Sequence, residues 1–315
     1  WFHGTAIVDA ELWLENTRTV AELMKTVAPD VKVFAYLHPN LCTQVGYERM
    51  YRDSVALARD GSPAKSAYKP EPGLFIPTLN NSYGRALGAV YRHLVDEVGA
   101  NLYIDEITVG IPSRAPYAEW DGCTVAIDPA THAVTGKESM AALLMQPWYQ
   151  EMMAHLKSRG RTAFANTTPP TRTMTRWRLQ HFTEDFGASG IFSTHLSTPL
   201  SHSYKRGLAG FQYLRETLDH GGVAFMRVGD WSDYLFPITP IELRAGVVIA
   251  EERILTNRSG RFGWGDGSRA EVRVYDGQGR PVEQPDVREI EAGGEVLTEI
   301  RMPSDHLAIL VRQNP

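Results

Sequence analysis

Two adjacent acids, Asp105 and Glu106, close the stretch LFIPTLNNSYGRALGAVYRHLVDEVGANLYIDEI, residues 74 to 107. Within it Leu87, Val90, Tyr91, Leu94 and Val98 recur at helical spacing, Gly99 supplies a stop, and Leu102, Tyr103 and Ile104 form a short apolar run. The stretch therefore reads as strand, helix, strand and then acids. The carboxyl end of such a strand is where α/β folds bind ligands, and a polar residue there is more often catalytic than structural. Cleaving a glycosidic bond takes two carboxyl groups, one to donate a proton and one to act as nucleophile or to activate water, roughly 5 to 9.5 Å apart. Different strand ends of one barrel supply that separation.

Asp105, the first residue past its strand, is the first candidate for nucleophile or base, and Glu106 is its rival. Only one of two consecutive residues can point at the barrel axis, so the other would brace a neighbouring loop. The second carboxyl is expected after a later strand, where His181-Phe182-Thr183 is followed by Glu184 and Asp185. Glu184 is the expected proton donor, because Phe182, Phe186 and Trp177 around it would desolvate the carboxyl and keep it protonated. Asp230, in VGDWSDY, is the reserve acid. The bland alternative for each acid is a helix cap, a salt bridge or a place on the surface.

Polar residues at other expected strand ends suit the same site. Asp9, His38, Asn40, Asn166 and His195 can bond sugar hydroxyls, which both donate and accept. Trp120 and Trp231 are expected to stack on the apolar face of a sugar ring, whereas Trp148 and Trp177 read as core. Arg172, Arg176 and Arg178 form a basic cluster suited to an acidic sugar or to nearby acids. His38, His195, His202 and Asp230 have no diagnostic metal spacing, so no metal and no cofactor is expected. Walker, dinucleotide, H-E-x-x-H and G-x-S-x-G motifs are absent from the sequence.

The elements that must position these residues follow from the apolar pattern. Strands are expected at Thr5 to Val8, Val31 to Leu37, Leu74 to Thr78, Leu102 to Ile104, Thr162 to Ala165, His181 to Thr183, Ile191 to Thr194 and Val223 to Met226. Between them lie helices at Thr17 to Val27, Tyr47 to Arg59, Tyr83 to Val98, Ala141 to Ser158 with a break at Pro147, and Tyr204 to Leu218. This alternation predicts an α/β fold, a (β/α)8 TIM-type barrel over residues 1 to 238. From residue 239 to 315 the pattern changes to alternating strands with turns at Asp266-Gly267, Asp276-Gly277 and Gly293-Gly294, which predicts a small antiparallel β-sandwich. Segment 108 to 137 is too long for an ordinary connection and reads as a lid or binding loop.

At 315 residues, with 43% hydrophobic residues, the chain can bury a barrel-sized core. Its net charge of -5 gives no basic field, so neither nucleic acid nor an anionic membrane is the expected partner, and a neutral carbohydrate fits better. No run of about 18 apolar residues is present to cross a membrane. Cys42 and Cys123 are too few for a disulfide framework, although one bridge between them stays open. The opening WFHGTAIVDAELW reads as the middle of an element, so upstream residues are expected to be missing, and compartment and oligomeric state stay open.

FAYLHPN, PTLNNSYGRAL and a helix ending in NLYIDE together resemble the catalytic barrels of glycoside hydrolases related to melibiase-type α-galactosidases and α-glucosidases. The resemblance implies that Asp105, at the fourth strand, is the nucleophile and that the acid/base follows the sixth strand, where Glu184 and Asp185 stand. Tyr103 occupies the place of those enzymes' lysine. Their acid/base is usually an aspartate, which makes Asp185 a rival to Glu184. The later stretch FPITPIELRAGVVIAEERILTNRSGRFGWGD is similar to uncharacterised bacterial glycosidase-like proteins. The alternatives are a carbohydrate-binding or scaffold barrel without catalysis, and a metal-dependent hydrolase of another bond.

Overall fold

The computed structural model describes residues 10–42, 46–58, 60–64, 73–107, 119–166, 170–184, 200–202, 205–225 and 233–313. The chain divides into two compact units, Trp1–His181 and Phe182–Pro315. The first contains α1 (Ala10–Val27), β1 (Phe34–Leu37), β2 (Leu41–Cys42), α2 (Tyr47–Met50), β3 (Gly73–Leu74), α3 (Ser82–His93), β4 (Asn101–Ile104), β5 (Val125–Ile127), β6 (Val134–Lys137), α4 (Ala141–Ser158), β7 (Ala163–Asn166) and α5 (Arg172–Thr175). Strands β1, β4 and β7 run parallel with β4 in the middle, Tyr36 beside Tyr103 and Tyr103 beside Phe164. Strand side chains alternate between faces, and burial follows that alternation. Ala35, Leu37, Leu102, Ile104, Ala163 and Ala165 are buried in one core with Leu87, Tyr91 and Leu94 before β4 and Met145, Tyr149 and Met152 of α4. On the other face Phe34, Tyr36, Tyr103 and Phe164 are only half-buried.

Helix α3 shows why the acids fall where they do. Asn81 caps it, accepting from the Gly84 and Thr78 amides at 2.8 and 3.1 Å and donating to the Ile76 carbonyl at 2.6 Å. Gly84 is required there, because a Cβ would lie 1.9 Å from the Thr78 carbonyl oxygen. The helix passes into a π-helical turn, Leu94–Val98, and ends at Gly99, whose φ of 69° is the left-handed stop. Only Ala100 then separates that stop from β4.

Several expected elements differ. Leu74 to Thr78 is not a parallel strand: β3 pairs antiparallel with β2, and the Ile76 and Thr78 backbone groups go to the Asn81 cap. The helix expected from Tyr47 to Arg59 stops at Met50, followed by a 3-10 turn at Arg52–Ser54, because Ala56 then donates to the Leu74 carbonyl as extended chain. Pro147 does not break α4, whose buried Leu144, Met145, Trp148 and Tyr149 hold the helix on either side of it. Cys42 and Cys123 are free thiols, so the bridge left open is not formed. The expected strands at Thr5 to Val8 and Ile191 to Thr194 lie outside the described residues.

The second unit takes most of β8 (Gln180–Glu184), which starts at the boundary, and continues with β9 (Leu200–His202), α6 (Gly207–Asp219), β10 (Val223–Phe225), β11 (Pro240–Arg244), β12 (Val247–Ala250), β13 (Arg253–Thr256), β14 (Gly260–Phe262), β15 (Arg269–Tyr275), β16 (Asp286–Ala292), β17 (Glu295–Arg301) and β18 (Leu307–Gln313). Strands β8, β9 and β10 are parallel, with β9 in the middle. From β11 onward the strands form two antiparallel sheets, β11-β12-β13-β18-β15 and β14-β17-β16. Ile254, Val274 and Leu310 of the larger sheet share a core cluster with Phe262 and Ile300 of the smaller one. Gly293-Gly294 turns β16 into β17 as expected, and at Asp276-Gly277 the chain also folds back as expected, Tyr275 bridging Pro281 antiparallel and the Val282 amide donating to the Val274 carbonyl at 2.8 Å, before it crosses to the other sheet. The molecule is thus mixed α/β, with parallel strands and separate antiparallel sheets, and no closed barrel is seen among the described residues.

Candidate active site

The end of β4 gathers the polar groups of the first unit. Continuing the strand registers by one residue sets His38 beside Asp105 and Asp105 beside Asn166, three polar residues in a row across three strand ends. Asp105 lies two residues beyond Tyr103 and so shares the half-buried aromatic face. Tyr36 donates its hydroxyl to Asp105 Oδ2 at 2.7 Å, and Tyr103 and Asn166 donate to Oδ1 at 3.2 and 2.9 Å. An ionised carboxylate only accepts hydrogen bonds, so all three suit that form. The rings of Tyr36 and Tyr103 pack with centroids 5.4 Å apart, and Phe164 lies 5.5 Å from Tyr103, which fixes both phenols from the side. Asp105 itself is 7% exposed.

Glu106 faces elsewhere. Its φ of 44° turns the chain away from the strand direction, and its carboxylate lies 3.0 Å from Nε2 of the fully buried His38. The two consecutive acids are therefore held by different partners, Asp105 by two phenols and an amide and Glu106 by an imidazole.

The other expected residues are distributed less evenly. Asn166 is buried and belongs to the Asp105 cluster. Asn40 is also buried, and its amide donates to the Phe75 carbonyl and the Met145 sulfur, so it joins β1 to the loop before α3 rather than facing solvent. Trp120 is 40% exposed, donates to the Thr124 carbonyl at 2.8 Å and carries the Lys137 ammonium 4.3 Å from its ring centre. Glu184 ends β8, and its side chain lies outside what the structure describes, as do Asp9, Asp185, His195, Asp230 and Trp231 entirely. Arg172, Arg176 and Arg178 are exposed. Among the described residues no three His, Cys, Asp or Glu side chains gather as metal ligands, and no helix is long and apolar enough to cross a membrane.

The chain matches no protein-family profile and no curated protein. Among solved structures, it is similar to the Kfla1895 D451A mutant in complex with isomaltose, at 11% identity and a TM-score of 0.44 over 94% of this chain and 50% of that one. It is also similar to an ER glucosidase II heterodimeric complex, at 10% identity and 0.43 over 95% of this chain and 39% of that one. A third is the glycoside hydrolase family 30 subfamily 8 xylanase Xyn30A from Clostridium acetobutylicum, at 8% identity and 0.43 over 97% of this chain and 85% of that one. The chain spans half the length of the first of these. Similarities of this size, all below 0.5, leave the chemistry of the site to its own residues.

Sequence reasoning missed Tyr36 and Tyr103 as partners of the acid. Their signal was present, since Tyr103 precedes Asp105 by two residues and Tyr36 holds the matching place in FAYLH. Tyr149, which donates to the Ile107 carbonyl at 2.7 Å from α4, had no signal beyond helical spacing.

Proposed function

We propose that the chain is a glycoside hydrolase in which Asp105 is the nucleophile or base and a carboxyl at the end of β8, Glu184 or its rival Asp185, is the general acid. The observation that carries this reading is the Asp105 carboxylate at the end of β4, gripped by Tyr36, Tyr103 and Asn166. A carboxylate whose orientation is fixed by three donors is prepared for attack or for activating water, because little reorganisation remains when the reaction begins. Tyrosine hydroxyls suit this task, since each carries an O–H that can donate to an anion.

The larger frame is part of the same proposal. Residues 1 to 238 would complete a (β/α)8-type barrel of the melibiase-related kind and residues 239 to 315 a β-sandwich, with Asp9, His195, Asp230 and Trp231 meeting the substrate at the barrel mouth and the exposed Trp120 stacking on a sugar ring. Asn166 acts on Asp105, while the buried His38 and Asn40 support the strand ends from within.

A panel of 4-nitrophenyl glycosides tests the reading. The wild type is expected to release nitrophenol from at least one of them, and Glu184→Gln or Asp185→Asn to slow hydrolysis of the alkyl glycoside of the same sugar, whose leaving group needs the proton, by about 10²–10⁴-fold, the usual worth of a positioned general acid. Turnover that survives in both variants would remove the β8 acids from the mechanism, and no release from any glycoside would remove the function.

A further inference from the structure

The turn after β4 is tied down at each of its three residues. The Asp105 amide donates to the Leu37 carbonyl at 2.8 Å, the Ile107 amide donates to the Asn166 carbonyl at 3.4 Å, and the Ile107 carbonyl accepts from Tyr149. Between them Glu106 adopts a φ of 44°. That left-handed backbone is easy for glycine and disfavoured for a residue with a Cβ, and such conformations persist only where the surroundings hold them in place. A glutamate kept where glycine would sit more easily needs a use for its side chain. Here that use is visible: the carboxylate lies 3.0 Å from the Nε2 of His38, which has no exposed surface and stands at the end of the neighbouring strand.

We infer that Glu106 is a positioning residue whose bond to the buried His38 holds the left-handed turn that aims Asp105 across the strand ends. The inference rests on the reading of Asp105 as the reacting carboxylate. It divides the work of the two adjacent acids: Asp105 meets the substrate, and Glu106 fixes the direction in which Asp105 points. A carboxylate displaced by about 1 Å can lose on the order of 10²-fold in rate, so loosening a turn that is locked from one side lowers kcat.

The experiment compares Glu106→Gly, Glu106→Asn and Glu106→Gln in the full chain, reading amide hydrogen exchange at Asp105 and Ile107 beside kcat and KM on a 4-nitrophenyl glycoside that the wild type cleaves. Glycine relieves the backbone and deletes the bond. Asparagine also tolerates the left-handed region but falls short of His38, and it serves if the glycine variant does not fold. Both are expected to speed exchange at Ile107 on the order of tenfold and to lower kcat by about 10²-fold with little change in KM, whereas Glu106→Gln keeps an acceptor for His38 and recovers most of the loss. Wild-type exchange in the glycine and asparagine variants overturns the proposal, and so does faster exchange with unchanged kcat. A Glu106→Gln variant as impaired as the glycine variant overturns it as well, by making the charge itself the reacting group. If Asp105→Asn keeps full turnover, or the wild type cleaves no glycoside, the reading of Asp105 fails separately, and the exchange rates alone then decide whether Glu106 braces the turn.

Discussion

Asp105 is defined by its donors, Tyr36, Tyr103 and Asn166. Three hydrogen bonds to one carboxylate set both its direction and its surroundings, and each bond to a charged group contributes about 1.5–3 kcal/mol. Tyr36→Phe removes the shortest of them and leaves the ring packed against Tyr103. It is expected to lower the unfolding free energy by about 1–3 kcal/mol in urea titration and to reduce turnover, while Phe164→Leu, one ring further from the acid, reduces turnover less. The position of Asp105 was legible in the sequence because strand ends follow apolar runs, and Tyr103 was legible through the two-residue alternation of the strand. The backbone of Glu106 was not: nothing in the letters D and E announces a positive φ, which follows from how three neighbouring strands and Tyr149 hold the turn.

Element by element, the sequence pattern was most informative where periodicity was longest. Helices α3 and α4 stand where Leu87, Tyr91 and Met145, Tyr149 require them, whereas the short run Leu74 to Thr78 looked like a parallel strand but pairs antiparallel at its start, as β3, and ends in the Asn81 cap. The difference is that an isolated apolar run leaves its backbone partners unspecified, and here Asn81 claims them. Asn81→Ala should therefore cost about 1–2 kcal/mol, as the loss of a helix cap does, and thermal melting would show it as a lowered midpoint. Before α4, Asp121 offers a test against pH. Burial pushes its carboxyl up, but bonds from the Met140 amide, the Thr124 hydroxyl and amide, and the Cys123 amide together outweigh that and hold it at about 2. A carboxyl lowered in the folded state contributes stability above its unfolded value near 4 and loses it as pH falls toward about 2. Stability measured between about pH 4 and 2 should fall more steeply in the wild type than in Asp121→Asn.

For the whole molecule, composition sets the charge of the surface that the chain offers. A net charge of -5 does not attract polyanions, so at about 0.15 M salt the protein should flow through a heparin column, and retention would point to a basic face hidden in the total. A change from helix-strand alternation to antiparallel strands was expected from residue 239, and the strands from β11 onward pair antiparallel. The compact units divide earlier, at His181, because α6 and β10 share a core with Leu255, Leu307 and Ile309 of the antiparallel sheet. Contacts between segments so far apart in the chain leave no local pattern to read.

Whether Asp105 carries the reaction is tested most directly by the turnover of Asp105→Asn relative to wild type on whichever 4-nitrophenyl glycoside the wild type hydrolyses, with circular dichroism confirming the fold. A loss of about 10²–10⁴-fold in kcat is expected, with the folded spectrum retained. Wild-type turnover in a folded Asp105→Asn protein would contradict it.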